Sequence, residues 1–386
     1  MIYLDNAATT RTRQEAAEAA FSAMREDFAN PSSTHSLGRR AAGIITRARL
    51  HVAAPLGASP AELVFTSGGT EANNLAVLGG AAARKRHGKH IITTQTEHDS
   101  VRKPAQALVS QGFDVTFLLP DATGRITLSA FSAALREDTI LASVMLVNNE
   151  TGAVNPVAEL SHELHAKNPH ALFHTDAVQG YGKLAVNAKA LGADMVSVSA
   201  HKIYGVKGVG ALYIRSGVKL APRIIGGEHE YGMRAGTEPV PAIAAFGEAA
   251  RLAREELDAS FSLAAELRAL AVSELRSRLK FLSFITDEDG IGVLNGAQSP
   301  YVLSIALPGY RSEVLMTALE DEGVLVSRSS ACKKGARSHV LEAMGLANEV
   351  IDGALRISFS RETTADEVRQ FAEKLQAVTS RIFTRR

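Results

Sequence analysis

Short apolar runs recur through the first half of the chain, and each breaks off at small or polar residues before a helix-like stretch begins. Leu63-Val64-Phe65-Thr66 stops at Ser67-Gly68-Gly69-Thr70, and a helical stretch follows through Ala83. His90-Ile91-Ile92-Thr93-Thr94, Asp114 to Leu118, and runs near Leu172, Val196 and Leu212 repeat the pattern. Strands that alternate with helical segments predict an α/β fold with a mostly parallel sheet. Ligands in such sheets sit beyond the carboxyl ends of the strands. Ile140 to Val147 reads as one buried strand from its unbroken apolar run, and Pro239 to about Leu279 as one long helix rich in Ala, Leu, Glu and Arg. Beyond it, Val302 to Leu307, Val324 to Val326 and Leu355 to Phe359 add strands, closed by a helix from about Thr364. The pattern divides the chain into a large domain over 15–255 and a small one made of 1–14 with 256–386.

Composition narrows the function classes. At 386 residues, 46% hydrophobic, with a net charge of +1, the chain offers no electrostatic reason to bind nucleic acid or anionic lipid. It contains no apolar run of transmembrane length, and Met1-Ile2-Tyr3-Leu4-Asp5 lacks the basic flank and apolar core of a signal peptide, so a cytoplasmic location is expected. One cysteine, Cys332, allows no intramolecular disulfide and no thiol-built cluster site. His162-Glu163-Leu164-His165 falls one residue short of a zinc-binding His-Glu-x-x-His pattern, and no metal is expected.

Two runs point to chemistry. His174-Thr175-Asp176-Ala177-Val178-Gln179-Gly180 follows the apolar Ala171-Leu172-Phe173. Ser199-Ala200-His201-Lys202-Ile203-Tyr204-Gly205 follows Met195 to Val198. Two parallel strands joined by a crossover would carry Asp176 and Lys202 to the same sheet edge. An amine and a carboxylate so placed are what pyridoxal phosphate requires: the lysine holds its aldehyde as a Schiff base, and the acid keeps the ring nitrogen protonated. Taken alone, Lys202 also reads as an ordinary solvated lysine.

Other residues gather around this pair, each with a plainer reading beside the functional one. Ser67-Gly68-Gly69-Thr70-Glu71 joins a strand to a helix; its glycines and free N–H groups suit a phosphate, or simply make a βα turn. His98 could stack on a flat ring and move protons, or cap the next helix. Asn149 and Gln179 could reach a ring oxygen, or serve turn chemistry. Arg356, inside an apolar run, needs a partner: a substrate carboxylate, or an internal acid. Cys332 sits in Ser327-Arg328-Ser329-Ser330-Ala331-Cys332-Lys333-Lys334-Gly335-Ala336-Arg337, where nearby cations favour its thiolate, or it is an inert thiol in a basic loop.

Nearly end to end, the chain resembles the pyridoxal-phosphate-dependent cysteine desulfurases of the NifS/IscS-like type, in the class V aminotransferase superfamily. The resemblance rests on Tyr3 to Thr10, Asn30-Pro31-Ser32-Ser33, Phe65 to Asn74, Val147 to Gly152, Ser199 to Gly205, Met233-Arg234-Ala235-Gly236-Thr237, Ser330-Ala331-Cys332 and Leu355-Arg356-Ile357-Ser358. It implies the fold-type I architecture, with a smaller α+β C-terminal domain. It also implies that Lys202 carries the cofactor and that Asp176 pairs with the ring nitrogen. Gln179 and Asn149 would lie at the phenolic oxygen, and His98 would stack on the ring and assist proton transfer. Gly69, Thr70, Ser199 and His201 would hold the phosphate, with Thr237 completing the phosphate site of a partner subunit in a homodimer. Arg356 would clamp the substrate carboxylate, beside Asn149, and Cys332 would accept the sulfur.

The implied reaction converts L-cysteine to L-alanine and leaves a persulfide on Cys332, for delivery to an acceptor protein in iron–sulfur cluster assembly or tRNA thiolation. A selenocysteine lyase or aminotransferase of the same fold, or a sulfur-relay scaffold without catalysis, are the alternatives. The chain departs from the family in two places. The link from Cys332 to Ser338-His339-Val340-Leu341 is about two residues short. The usual Gly-Gly-Gly-x-Glu-Arg-Gly reads Gly226-Gly227-Glu228-His229-Glu230-Tyr231-Gly232.

Overall fold

The computed structural model describes residues 1–286, 291–328 and 337–382. Eight strands lie between residues 1 and 214: β1 (Ile2–Tyr3), β2 (Leu63–Thr66), β3 (His90–Thr94), β4 (Asp114–Leu118), β5 (Thr139–Ser143), β6 (Leu172–Asp176), β7 (Met195–Ser199) and β8 (Gly210–Ile214). All but β1 form one sheet, in the order β2-β8-β7-β6-β5-β3-β4. Strands β7, β6, β5, β3 and β4 run parallel, and β8 is antiparallel to both neighbours.

Both faces of the sheet are buried, which is why its strands read as continuous apolar runs rather than alternating ones. Successive side chains still point to opposite faces. Phe65, Ile92, Ala142, Phe173 and Val196 pack with the helices Gln14–Arg25, Ser36–Ala53, Val157–Lys167 and Val240–Glu255. Their neighbours Val64, Ile91, Leu141, Leu172 and Met195 face the helical run from Gly69 to Arg84 and the helix Asp99–Ser110.

A second core is built around an antiparallel sheet. Strands β9 (Ser283–Phe284), β10 (Val302–Ala306), β11 (Val324–Leu325), β12 (Ser327–Arg328) and β13 (Ala354–Ser358) follow in chain order, and four of them stand in the order β12-β13-β10-β9. Leu303, Ile305, Leu355 and Ile357 pack there against helix Ala365–Arg381, whose N-cap Thr364 makes a capping box with Glu367. The N-terminal segment ties the two cores together. β1 pairs with β11, Asp5 bridges to Ser358, and Thr10 N–H then donates to the His201 carbonyl beside β7.

Two elements differ from the sequence expectation. Sheet pairing of the 140–147 run stops at Ser143. The chain stays buried, with Val144 and Leu146 donating to the carbonyls of His174 and Asp176, then turns back so that Val147 bridges Val154. An unbroken apolar run reports burial, and the turn at Asn148 to Gly152 that ends the strand is set by the Asn148 side chain, which accepts from the N–H groups of Glu150 and Thr151. The expected long helix is two helices, Val240–Glu255 and Leu257–Arg278, separated at Glu256 (φ −95°, ψ 5°). Neither Gly nor Pro marks the break; the Glu256 carboxylate pairs instead with Arg13 at 3.0 Å and Arg361 at 3.5 Å. No helix among the described residues is long and apolar enough to cross a membrane.

Candidate active site

A cavity of about 520 Å³ opens at the carboxyl ends of β6 and β7, and most of the candidate residues line it: Gly69, Thr70, His98, Asn149, Asp176, Gln179, Ser199, His201, Lys202 and Arg356. This is where a parallel sheet places its ligand. Asp176 is the last residue of β6, and Lys202 ends the short turn Ala200–Lys202 that follows β7. Because β6 and β7 are adjacent and parallel, the acid and the amine share one wall.

Lys202 Nζ donates to the carbonyls of Ala7 and Ala8, at 2.5 and 2.7 Å. Burial, then the charges of Lys183 and Arg356, pull its pKa down to about 7, so much of it is free amine at neutral pH. Asp176 is buried; its Oδ2 accepts from Asn73 Nδ2 at 2.6 Å and its Oδ1 from Val178 N–H at 2.9 Å. Gln179 Nε2 donates to the Ala7 carbonyl at 2.8 Å.

Gly69 and Thr70 open the helical run that follows β2, their N–H groups forming part of the unpaired first turn. A Cβ at Gly69 would lie 2.8 Å from Val178 Cγ2, so the close approach of this turn to the β6 loop requires glycine. Ser199 and His201 complete this corner. Burial and the neighbouring Lys202, Lys207 and Lys183 pull His201 down to about 4, leaving its ring neutral.

Arg356, on β13, reaches the cavity from the second core. Its Nη1 donates to the Asn149 carbonyl at 2.9 Å and its Nη2 to Asp5 at 2.8 Å, while its buried Nε has no partner among the described residues. The internal ion pair and the cavity position are therefore both present. His98 likewise holds both of its sequence readings: its Nδ1 accepts from Ser100 N–H as the cap of helix Asp99–Ser110, and its ring lines the cavity.

Two candidates stand apart. Cys332 lies outside the described residues; beyond it, Arg337 and His339 line the cavity. Thr237 is exposed and lines none of this cavity; nearby, Arg234 pairs with Glu71 at 3.0 Å in the first turn of the Gly69 helix.

The structure adds residues to which the sequence assigned no role, although Asn73 and Glu150 lie within motif runs. Asn73 and Ser100 link Asp176 to His98. Glu97, fully buried, accepts from Met145 N–H and is pushed up by burial to about 8. Glu150, pushed up by burial to about 7, accepts from the Ser338 hydroxyl. Asn73, three residues into a helix after Thr70, was discoverable only from the one-turn spacing that turns it toward the same strand end.

The pocket fits pyridoxal phosphate on its own chemistry. It combines an amine that loses its proton near neutrality, a buried carboxylate oriented by donors, and a glycine-dependent helix start for an anion. The aminotransferase class-V family model matches residues 2–371. The chain is 42% identical to the putative cysteine desulfurase IscS 1 of Bacillus subtilis, over 99% of both chains. It is 40% identical to the cysteine desulfurase IscS of Dictyoglomus turgidum, over 99% of this chain and 95% of that one. Among solved structures it superposes on a NifS-like protein with a TM-score of 0.92 at 36% identity, covering 99% of this chain and all (100%) of the other. A structure described as SspA in complex with cysteine matches with a TM-score of 0.81 at 33% identity, over 94% of this chain and 100% of that one. The chain therefore belongs to the class-V aminotransferase family and, within it, to the cysteine desulfurases.

Proposed function

We propose that the protein converts L-cysteine to L-alanine and passes the sulfur to Cys332 as a persulfide, with pyridoxal phosphate held by Lys202. The observation that carries this reading is one cavity lined by Lys202, Asp176 and Arg356 at the ends of two adjacent strands.

When bound, the cofactor supplies an electron sink that labilises the substrate Cα–H bond. Lys202 would carry it, and Asp176, held by Asn73 and Val178 N–H, would keep the ring nitrogen protonated. Gly69, Thr70, Ser199 and His201 would hold its phosphate, Gln179 and Asn149 would serve its phenolic oxygen, and His98 would offer its ring as a stacking surface. Thr237 serves the phosphate site of a second copy of the chain, which makes the working form a homodimer. Arg356 receives the substrate carboxylate beside Asn149. Released Lys202 moves the Cα proton. The Cys332 thiolate attacks the substrate sulfur: an S–S bond forms, the substrate C–S bond breaks, and the carbon fragment takes up a proton and leaves as alanine. The persulfide sulfur then goes to an acceptor protein for iron–sulfur cluster assembly or tRNA thiolation.

The test is mass spectrometry of the protein after incubation with L-cysteine. An added sulfur atom on Cys332, together with alanine, is expected. Full alanine and sulfide production by Cys332→Ala would overturn the nucleophile assignment. Separately, borohydride should fix the cofactor to the wild type and not to Lys202→Ala.

A further inference from the structure

Lys183 occupies a place where a lysine is costly. It is 4% exposed and lies four residues beyond Gln179, which lines the cavity. A buried ammonium is normally paired with an acid. Among the described residues none pairs with Lys183: its hydrogen bond goes to Gln179 Oε1 at 3.5 Å, and its ammonium stands 5.6 Å from the centre of the Tyr301 ring. The Tyr301 hydroxyl is itself buried without a partner among the described residues.

The charges facing the two amines come from several elements. Lys202 feels Lys183 and Arg356 on the cationic side and Asp5 and Asp176 on the anionic side; Lys183 feels Arg356, and His201 feels both lysines.

We propose that Lys183 is a positioning residue for the site: it fixes which way the Gln179 carboxamide points, and its charge helps keep the Lys202 amine free of its proton. The inference rests on the reading of Lys202 as the amine that carries the cofactor.

The first half follows from donor and acceptor matching. Gln179 Nε2 donates to the Ala7 carbonyl, the same oxygen that receives Lys202 Nζ. Turning the amide over would set its oxygen against that carbonyl and its NH₂ against the Lys183 ammonium, so the two neighbours select one orientation. The second half follows from Coulomb repulsion in a dry site. Burial, with Arg356, draws Lys183 down to about 8, while burial, Lys183 and Arg356 draw Lys202 to about 7. Lys183 and Lys202 stand on either side of the Gln179 carboxamide and the Ala7 carbonyl, so charge on one disfavours charge on the other and the two titrate as a coupled pair. A lysine present only to pack its stem against Tyr301 would leave the Lys202 titration where it is.

The experiment is a pH titration of cofactor-free protein whose lysines carry 13C at Cε, followed by NMR, with signals assigned by Lys202→Ala and Lys183→Arg. In the wild type, Lys202 should titrate below Lys183. In Lys183→Met its midpoint should rise by on the order of half a pH unit or more, and Lys183→Arg should restore it. An unchanged Lys202 midpoint in Lys183→Met overturns the proposal. Should that variant not fold, the wild type decides: Lys183 losing its proton at or below the pH at which Lys202 does so overturns it, and the opposite order supports it. These readings come from protein without cofactor, so their failure is distinguishable from failure of the borohydride test.

Discussion

The Asn73 carboxamide donates through one nitrogen to Asp176 Oδ2 at 2.6 Å and to Ser100 Oγ at 2.8 Å. Ser100 Oγ lies 2.7 Å from His98 Nδ1, which also accepts from Ser100 N–H. The acid proposed to face the ring nitrogen and the histidine proposed to stack on the ring are therefore held by one chain of bonds. With Nδ1 occupied as an acceptor, a neutral His98 carries its proton on Nε2.

Asn73→Ala removes the donor to a buried carboxylate while sparing every residue assigned to touch the cofactor. A hydrogen bond to a charged group contributes about 1.5–3 kcal/mol, so pyridoxal phosphate should be held roughly 10- to 100-fold more weakly. Equilibrium dialysis with the absorbance spectrum measures this. Wild-type affinity in Asn73→Ala would show that Asp176 needs no such support.

This relationship also marks the limit of what the residues alone revealed. Lys202 and Asp176 were legible because each follows an apolar run that ends abruptly, and parallel neighbours carry such ends to one edge. Arg356 was legible as a guanidinium in an apolar run. The roles of the supporting groups were not: Asn73, Ala7 and Ala8 fall within motif runs, but the run does not say that Asn73 holds Asp176, and Ala7 and Ala8 act through backbone carbonyls, which no side-chain pattern announces. Lys183 and Glu97 read as ordinary charged residues until the sheet and its helices bury them. In the fold, the turn after Ser143 and the break at Glu256 were hidden for the same reason, since Asn148 and the Arg13–Glu256 pair act through tertiary contacts rather than local propensity.

Arg356 offers two nitrogens to Asn149 and Asp5 and keeps a buried third without a partner among the described residues. Arg356→Lys preserves the charge and loses the planar fork. If this group clamps the substrate carboxylate, kcat/KM for L-cysteine should fall about 10- to 100-fold, mostly through KM. Steady-state kinetics on the folded variant decides, and an unchanged KM would remove Arg356 from substrate binding.

Glu97 makes stability depend on pH. Burial, with a smaller contribution from Asp176, raises its carboxyl from 4.5 to about 8, so the folded chain keeps this proton where the unfolded chain has lost it. Its stabilising contribution is complete below the unfolded value and is lost as pH climbs through about 8. Glu97→Gln, neutral throughout, should grow more stable relative to the wild type as pH rises across that window. Urea midpoints at a series of pH values measure it, and parallel profiles for the two proteins would contradict the assignment.

The last prediction concerns the segment where the family pattern changes. Glu230 is buried and bonds Arg49 through both oxygens, at 2.7 and 2.6 Å, while also accepting from Phe65 N–H at 2.7 Å. Tyr231, at the position where the family pattern has arginine, is exposed and its ring centre lies 5.3 Å from the same guanidinium. Both residues adopt left-handed backbone, with φ of 49° and 59°. Glu230→Gln strands a buried Arg49 charge, a loss of about 3–5 kcal/mol when one partner of such a pair is removed. Tyr231→Gly gives up a cation–π contact of about 0.5–1 kcal/mol but relieves a left-handed conformation that costs a non-glycine residue about as much. Glu230→Gln should therefore lower the urea midpoint far more than Tyr231→Gly. Equal shifts would mean that the ion pair contributes no more than the exposed ring above it, and that the loop is held elsewhere.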